Sequence, residues 1–461
     1  MNKGILISNF DELVEMRKGV ISRLRRHALR AVEAAINSVT PRNSLKRSIR
    51  RRGDKLIIMR RKRIDLKKFE KILVLGAGKA SIGMAKYIEE ILGDFISEGA
   101  IVAPRELAEK AKLEKIEILP STHPIPSELG VKAAVRILGY ANEVGEKTLT
   151  IFLLSGGASA LLPMPADPLT LQDKIEVTKL LLASGANIDE VNAVRKHISG
   201  IKGGLLGKKL SKGFVISLII SDVVGDKLET IGSGPTAPDP TTFRDVYEIL
   251  NKYGLWNKIP EAVRSRIMLG LDGKVEETPK PGDPIFKRIM NLIVAGVGDA
   301  CKAAERYLRS RGYRSMILTR FMEGEAKEVG IFSAGLLRQL SERRGRYAII
   351  MGGETTVTVK GNGVGGRNQE LALSASIKLR GLRNCCLVSV GTDGVDGPTN
   401  AAGAIVDGET YCDALSLGLN PTEFLAENDS NTFFKRVGGL ILTGYTGTNV
   451  GDVVLLLKAD R

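Results

Sequence analysis

The sequence predicts an α/β fold, with a parallel sheet between two layers of helices in its first part and a mixed sheet in its second. Apolar runs short enough for buried strands alternate with helical patterns through the first half of the chain. At 461 residues the chain exceeds one typical hydrophobic core, so we expect two domains. A stretch rich in proline and glycine, 277–284, is the best candidate for a linker, and we predict domains at 1–285 and 286–461.

The composition is that of an ordinary globular protein, with 43% hydrophobic and 26% charged residues. No apolar run is long enough for a membrane span, and the charged N-terminus is unlike a signal peptide. We therefore expect a cytoplasmic protein without a membrane partner. The four cysteines form no C-x-x-C pair, and the three histidines lack metal-ligand spacing, so we expect reduced, mostly buried cysteines.

The formal net charge is +16, and much of it comes from residues 42–68. A nucleic-acid patch is one interpretation of this basic stretch, but it has almost no interleaved aromatic residues and no recognised motif. We therefore expect no nucleic-acid partner. The run Leu56–Met59 predicts a strand, so the flanking charges fit an exposed hairpin. A positive field of this kind would attract anionic substrates, and many balanced charges also suit the ion-pair networks of a thermophile.

The first part of the chain opens with an amphipathic helical pattern over residues 8–37. A strand, a glycine turn and a helix follow at 71–86. Later strands and helices alternate, which favours parallel pairing. The further predicted strands are 100–103, 116–119, 149–154 and 214–220, and helices include 132–143 and 171–184.

The second part has frequent glycines between short strands. Residues 355–360 alternate in polarity and directly follow another strand, so we expect antiparallel members in this sheet. The predicted strands are 291–296, 315–319, 347–351, 355–360, 387–390 and 453–457.

The stretch 71–86 is the strongest candidate for a ligand site. Gly76 and Gly78 bracket a tight turn between a strand and a helix, where unpaired backbone N–H groups favour an anion, and Lys79 adds a positive charge. The turn lacks the spacing of a P-loop, and Ser81 replaces the last glycine of the dinucleotide pattern. A turn that merely closes a βα unit is the alternative.

Other polar loops follow strands of the same predicted sheet, where open α/β proteins bind their ligands. Each is a candidate nest of backbone donors, although a structural turn is the alternative. Asp222 is well placed to face a ligand or Mg²⁺. The residues that we interpret as cofactor-binding here are Ser155, Gly156, Gly157, Ser221, Gly232, Ser233 and Gly234.

The second part supplies a cation and carboxylates. Arg367 begins a predicted helix, a place that disfavours a cation unless an anion is bound, so we expect it to hold phosphate or carboxylate. Glu354 and Asp393 each follow a strand and are candidate ligands of a metal. Arg195 and Lys196, near His197, could face a ligand, with a helix surface as the alternative.

Together these features indicate phosphoryl transfer. Glycine turns, two flexible cations and carboxylates are the groups that this chemistry needs, because positioning and electrostatics dominate it. Neither hydride nor acyl-transfer machinery is evident.

A set of short motifs occurs in one order along the chain: Gly76–Ala80, Thr122–Pro124, Leu154–Gly157, Val191–His197, Ser221–Asp226, Gly232–Thr236, Gly365–Glu370, Gly391–Gly394 and Thr446–Asn449. By these motifs the chain resembles the class II glycerate 2-kinases, whose C-terminal part is called the MOFRL domain. The resemblance covers residues 8–457 and departs from the family pattern at Ala158 and Tyr445.

The resemblance implies a Rossmann-like N-terminal domain, a smaller C-terminal MOFRL domain, and an active site in the interdomain cleft. It implies ATP-dependent phosphorylation of D-glycerate at the 2-hydroxyl, giving 2-phosphoglycerate and ADP, with Mg²⁺ or a similar divalent ion. The catalytic lysine and arginine of the family map onto Lys79 and Arg367.

We therefore expect ATP and D-glycerate as small-molecule substrates, with a homodimer left open. The site assignment also includes Asn368 with the cofactor, Arg195 and Lys196 with the substrate, and Asp222, Glu354 and Asp393 with the metal. The alternative function is a hydroxypyruvate reductase that uses a nicotinamide cofactor.

Overall fold

A computed structural model describes residues 6–460, which divide into two compact units. We call residues 44–221 and 226–294 the lysine unit, because it contains Lys79. The arginine unit, named for Arg367, contains the described residues of 1–43 together with 222–225 and 295–460. In the described part of the chain, no helix combines the length and apolar character that crossing a bilayer requires.

The strands fall into one small sheet and two six-stranded sheets. In chain order they are β1 (Ile49–Arg52), β2 (Lys55–Ile58), β3 (Lys62–Asp65), β4 (Lys71–Ala77), β5 (Glu98–Pro104), β6 (Glu117–Ser121), β7 (Thr148–Ser155), β8 (Phe214–Ile220), β9 (Ile289–Ala295), β10 (Arg314–Met322), β11 (Tyr347–Gly353), β12 (Cys385–Gly391), β13 (Gly403–Asp407), β14 (Leu440–Ile441) and β15 (Asp452–Lys458).

The α-helices lie between these strands and before the first one. In chain order they are α1 (Phe10–Glu15), α2 (Gly19–Val39), α3 (Pro41–Ser48), α4 (Ser81–Leu92), α5 (Arg105–Ala108), α6 (Glu128–Asn142), α7 (Ala158–Leu161), α8 (Leu171–Ala183), α9 (Ile188–His197), α10 (Leu205–Leu210), α11 (Phe243–Lys252), α12 (Glu261–Leu271), α13 (Val297–Ser310), α14 (Ala326–Ser341), α15 (Arg367–Leu379), α16 (Thr410–Ser416), α17 (Pro421–Ala426) and α18 (Ser430–Val437).

The large sheet of the lysine unit confirms the predicted parallel architecture. Its strand order is β6-β5-β4-β7-β8-β9, and the pairs from β6 through β8 are all parallel. Every residue of β7 is buried, as expected for a strand covered on both faces. Because parallel strands end at one edge, the segments that follow β4, β7 and β8 meet at the same end of the sheet.

The basic stretch forms the small sheet β1-β2-β3, an antiparallel meander. Leu56, Ile57 and Ile58 of the central strand are buried, whereas the arginines of β1 and of the turn before β3 are exposed. The predicted strand with flanking charges is confirmed, and the structure adds a strand on each side of it.

The large sheet of the arginine unit is mixed, also as predicted. Its order is β10-β11-β15-β12-β13-β14, with β10 and β11 parallel and the other pairs antiparallel. The predicted strand at 355–360 is wrong, because only Thr356 makes an isolated bridge, to Glu325. Thr356 and Thr358 instead donate their N–H groups to the loop before α14. The antiparallel neighbour of β11 is β15, which comes from the far end of the chain.

The observed division of the chain differs from the predicted one. The helix α2 belongs to the arginine unit, where it packs against α13 and against strands of the sheet. Its buried Arg25 pairs with buried Asp407 at 2.6 Å. Removing one partner of such a pair strands a buried charge, so this contact fixes the N-terminal helix to the unit.

The predicted linker at 277–284 is also not a boundary. Thr278 donates to the Asp239 carboxylate at 2.9 Å, and the Asp239 N–H donates to the Pro279 carbonyl at 2.8 Å, so the stretch is anchored within the lysine unit. The strand predicted at 291–296 is β9, and it joins the lysine-unit sheet rather than the second sheet. Proline and glycine content alone therefore misplaced the boundary.

The predicted helix over 8–37 is two helices. The helical conformation is interrupted between Glu15 and Gly19, and Gly19 has a φ of +62°. All four cysteines are free, as predicted; three are buried and Cys412 is exposed.

Candidate active site

The turn that carries Lys79 is closed by hydrogen bonds within the protein. The N–H of Gly78 donates to Val102 O at 3.1 Å, and that of Lys79 donates to Gly156 O at 2.9 Å. The N–H of Ala80 donates to Ser155 Oγ at 3.0 Å. These donors are occupied, so the expectation of an anion nest in this turn is wrong, and Ser155 serves as a buried acceptor for the turn.

The two glycines of the turn are required by close packing against β7. A Cβ at Gly76 would lie 2.5 Å from Leu153 O, and one at Gly78 would lie 2.2 Å from Ser155 Oγ. Gly78 also has a φ of +136°, which side chains rarely adopt. The two glycines therefore allow β4 and β7 to pack closely, and this packing places Lys79 beside the loop that follows β7.

Lys79 lies against that second loop, residues 155–159. A Cβ at Gly157 would lie 3.3 Å from Lys79 Cγ and 3.0 Å from His123 Cδ2. Gly157 has a φ of +83°, and within the described chain the N–H groups of Gly157, Ala158 and Ser159 have no hydrogen-bond acceptor. We expected backbone donors in the turn that carries Lys79 itself. In the structure the N–H groups without an acceptor belong to the neighbouring loop instead.

His123, which belongs to the motif Thr122–Pro124, is exposed beside Lys79. Partial burial of its ring and the charge of Lys79 lower the pKa of His123 to about 4. A lowered histidine pKa means that the unfolded state binds the proton first, so this residue lowers stability as pH falls from about 6.5 to about 4. Between those limits His123 is neutral in the folded protein.

We expect the NMR resonances of His123 to titrate with a midpoint of about 4, and the midpoint to rise in Lys79→Met. The rise follows because the variant removes a neighbouring positive charge, while burial still holds the pKa below its ordinary value. His27 in the same spectra is the control, because burial and nearby arginines, not Lys79, lower its pKa. An unmoved His123 midpoint would show that the lysine lies elsewhere in solution.

Beyond Gly157 the same loop joins a chain of polar contacts. Ser159 Oγ lies 2.9 Å from Ser233 Oγ, and Ser233 Oγ donates to Asn192 Oδ1 at 3.2 Å. Lys202 donates to both the carbonyl and the hydroxyl of Ser159, each at 2.9 Å. Gly232 and Gly234, both with a φ of +59°, form the bend that presents Ser233.

Of the two residues predicted to bind substrate, Lys196 is not available for that role in the structure. Its Nζ pairs with the Asp239 carboxylate at 2.6 Å, and both residues are buried, with Lys196 only 3% exposed. Arg195, the residue before Lys196 on α9, is half-buried, and its guanidinium has no ion pair or hydrogen bond to another residue of the described chain. Burial lowers the pKa of Arg195.

In the arginine unit, Arg367 begins α15 as predicted, but protein carboxylates surround it. Its Nε and Nη2 donate to the two oxygens of Asp452 at 2.6 and 2.9 Å, and its Nη1 donates to Glu354 at 2.5 Å. Burial lowers the pKa of Arg367, but these two carboxylates outweigh burial and raise the pKa above its ordinary value. The bidentate geometry expected with a ligand is already used to orient the guanidinium.

The N-terminus of α15 also has its anion, the carboxylate of Asp396. The N–H groups of Asn368 and Gln369 donate to its two oxygens at 3.0 and 2.9 Å. Asn368 itself is buried, with its side chain bonded to Ser389 and Asp396. These contacts argue against Asn368 as a cofactor-binding residue. Asn368 instead stabilises the N-terminal cap of α15.

Glu354 lies in a strongly acidic environment. Burial and the charges of Asp452 and Asp222 raise the pKa of Glu354, against the opposing effect of Arg367. Three carboxylates around one guanidinium leave an excess of negative charge, and carboxylate oxygens are ligands that Mg²⁺ prefers. Glu354 and Asp222 therefore fit a divalent cation by charge and donor type. Residues 6–460 contain no cluster of three or more side chains that could hold a metal by themselves.

The third predicted metal ligand, Asp393, has a structural part in its own turn. Its Oδ1 accepts the N–H of Val395 at 3.1 Å, and its carbonyl accepts the N–H of Thr446 at 3.1 Å. Ser221 is buried at the end of β8.

Sequence reasoning missed Lys202 and Asp452 as site residues. Lys202 precedes Gly203 and Gly204, both at positive φ, and this glycine pair was a usable signal of a constrained loop. Asp452 lies at the start of the apolar run that forms β15, and an acidic residue at a strand end was a second usable signal. Neither pattern names its spatial partner.

These features define an α/β protein with one site built around a lysine and polar loops and another built around an arginine held by carboxylates. Two family models match the chain: a domain of unknown function, DUF4147, over residues 27–268, and the MOFRL family over residues 347–452. The chain belongs to the glycerate kinase family that carries the MOFRL domain.

Relatives match over nearly the whole chain. Glycerate 2-kinase of Pyrococcus horikoshii is 42% identical over 443 residues, which cover 95% of this chain and 98% of that protein. D-glycerate 2-kinase of Thermotoga maritima is 36% identical over 436 residues, covering 94% and 98%. A protein of Agrobacterium vitis named putative hydroxypyruvate reductase is 39% identical over 391 residues, covering 84% and 86%.

Solved structures agree with these relatives. A P. horikoshii protein, 42% identical, superposes with a TM-score of 0.81 and covers 95% of this chain and 99% of its own. Glycerate kinase of T. maritima, 36% identical, gives a TM-score of 0.83 and covers 95% and 100%. The predicted family and fold class are confirmed.

Proposed function

We propose that this protein transfers the γ-phosphoryl group of ATP to the 2-hydroxyl of D-glycerate, giving 2-phosphoglycerate and ADP. The observation that carries the proposal is the match to two proteins named as glycerate 2-kinases along 94–95% of the chain. Lys79 and Arg367 are the two cations that the predicted chemistry requires.

Lys79 is proposed to contact the transferring phosphoryl group in the lysine unit. Its side chain lies against Gly157, beside backbone N–H groups that have no acceptor among residues 6–460, so phosphate oxygens would find both a charge and neutral donors there. We assign Gly156 and Gly157 to the nucleotide phosphates on this ground; the bend at Gly232 to Gly234 does not share it, because the N–H groups of Ser233 and Gly234 donate to Thr230 O and Ile231 O at 2.9 and 3.0 Å.

Arg367 is proposed to stabilise charge on the same phosphoryl group. Asp452 and Glu354 already fix the plane of its guanidinium, so it needs little reorganisation when charge develops on the phosphoryl oxygens. Glu354 and Asp222 would hold the divalent cation, which supplies charge neutralisation for the phosphates when bound.

The direct test is to incubate the protein with ATP, Mg²⁺ and D-glycerate and to identify the product by phosphorus NMR. We expect the resonance of 2-phosphoglycerate to appear together with ADP, and Lys79→Met protein to serve as the inactive control. A product with the phosphate on the 3-hydroxyl would correct the regiochemistry, and ATP consumption without either ester would refute the proposal.

Hydroxypyruvate reduction is the second candidate, because relatives in Agrobacterium vitis carry that name. Ser81 stands against it: the side chain is buried and donates to Gly78 O and Val102 O at 2.8 and 3.1 Å, where the dinucleotide pattern requires a glycine. Mixing the protein with hydroxypyruvate and NADH or NADPH, without ATP, tests this candidate. We expect no loss of nicotinamide absorbance above the rate without enzyme.

A further inference from the structure

The lysine unit contains a group of cations without a carboxylate partner. Lys174 and Lys202 are 6% and 3% exposed, and Arg195 is half-buried. Lys174 Nζ donates to Ile198 O at 3.2 Å, and in the described chain Lys202 Nζ donates only to the carbonyl and hydroxyl of Ser159. Within residues 6–460 no acidic side chain forms an ion pair with any of the three.

The cations are close enough to affect one another. Burial, together with the charges of Arg195 and Arg266, lowers the pKa of Lys174 to about 7. Burial and the charges of Lys174 and Arg195 lower the pKa of Lys202 well below its ordinary value. Such mutual repulsion favours loss of the lysine protons, whereas a bound anion would keep the lysines charged.

Neighbouring cations of the same unit do have protein acceptors. Lys196 pairs with Asp239, and Arg266 donates to the carbonyls of His197 and Asp167 at 2.8 and 3.1 Å. Arg195 stands apart, because a half-buried guanidinium with five donors makes no hydrogen bond to the described protein. Its acceptor must therefore come from solvent or from a ligand.

This group lies beside the loop that carries Lys79. Asn192 and Arg195 are three residues apart on α9 and so share a face of that helix. Asn192 contacts Ser233, Ser233 contacts Ser159, and Ser159 contacts Lys202. Ser159 is two residues from Gly157, against which the Lys79 side chain lies.

We propose that Arg195 and Lys202 bind the carboxylate of the substrate. The inference rests on the proposed kinase function and assigns the acid group of the substrate to this cation pair. A guanidinium matches a carboxylate in a planar, two-pronged geometry, and Lys202 adds a point charge. The carboxylate and the 2-hydroxyl of a 2-hydroxy acid are on adjacent carbons. The carboxylate would therefore lie near Ser159, and the 2-hydroxyl near Gly157 of the same short loop.

Replacing Arg195 with glutamine tests the assignment. We expect the KM for D-glycerate to rise about 10- to 150-fold, the range for losing a hydrogen bond to a charged group, while the KM for ATP stays unchanged. Because the variant removes a repelling charge and no protein hydrogen bond, its melting temperature without ligands should stay the same or rise. A merely structural arginine would give the opposite stability result.

A matched control is Arg244→Gln, since Arg244 is an exposed arginine on α11 of the same unit. The uncharged amide of D-glycerate is the second probe: wild-type protein should strongly prefer the acid, and Arg195→Gln should lose most of that preference. Arg195→Lys should restore part of it, because the charge returns without the planar fork.

The results separate failure of this assignment from failure of the kinase proposal. An active wild type with an unchanged KM for D-glycerate in Arg195→Gln overturns the assignment, as does a rise confined to the KM for ATP. If the wild type forms no product, calorimetric titration of D-glycerate decides the matter: binding that Arg195→Gln abolishes supports the carboxylate site, and binding that it leaves intact overturns it.

Discussion

Lys79→Met protein is expected to fold normally and to lose about 10³- to 10⁵-fold in kcat, the range for a cation that contacts a transferring phosphoryl group. The side chain is only partly buried, and its Cγ lies against Gly157. Methionine keeps that apolar stem and removes the charge. The loss should therefore fall on the chemical step rather than on the packing of the turn.

The measurement is kcat at saturating ATP and D-glycerate, together with the thermal midpoint of each protein. Lys86→Met is the matched control, because Lys86 is an exposed lysine of α4, the helix that follows the same turn. We expect the control to keep wild-type turnover. Turnover within a few-fold of wild type in Lys79→Met would exclude Lys79 from catalysis, whatever the thermal midpoints are.

Residues near one another in sequence supported the successful part of the fold prediction. The apolar run 72–75, the glycines at 76 and 78 and the helical spacing after Lys79 together predicted β4, a turn and α4, and all three are present. Each of these signals depends on local geometry: a short apolar run, a φ that glycine adopts, and a period of 3.6 residues. Long-range pairing was not needed to recognise them.

The failures come from contacts between distant parts of the chain. Residues 355–360 alternate as a strand should, yet β15, about a hundred residues later, takes the place beside β11. The helix α2 joins the arginine unit because Arg25 pairs with Asp407, which lies 382 residues away. Periodicity records that a face is apolar but does not identify the surface that covers it.

The candidate sites show the same limit. Sequence reasoning selected Arg367 because a cation at a helix start needs an anion, and that physical premise is sound. The structure supplies the anions from Asp396, Asp452 and Glu354, none of which the sequence links to Arg367. Lys196 and Arg195 are adjacent in sequence, but only the folded chain shows that Asp239 pairs with the first and not with the second.

Arg367→Met protein is expected to lose about 10³- to 10⁵-fold in kcat and also to be less stable. Asp452 is fully buried and accepts two hydrogen bonds from the guanidinium, so removing the arginine leaves an uncompensated buried charge. Such a loss typically costs about 3–5 kcal/mol in the free energy of unfolding. We expect the lower end, because 32% of the Arg367 side chain faces solvent.

A double variant, Arg367→Met with Asp452→Asn, separates catalysis from stability. Removing the charge of both partners is often close to neutral for stability, so the urea midpoint of the double variant should return most of the way to that of wild type. Activity should remain as low as in Arg367→Met, because the cation for the phosphoryl group is still missing. If turnover returned together with stability, Arg367 would be a structural residue whose loss had only disturbed the start of α15. A stable but inactive double variant would instead show that Asp452 holds the arginine while the arginine itself acts on the substrate.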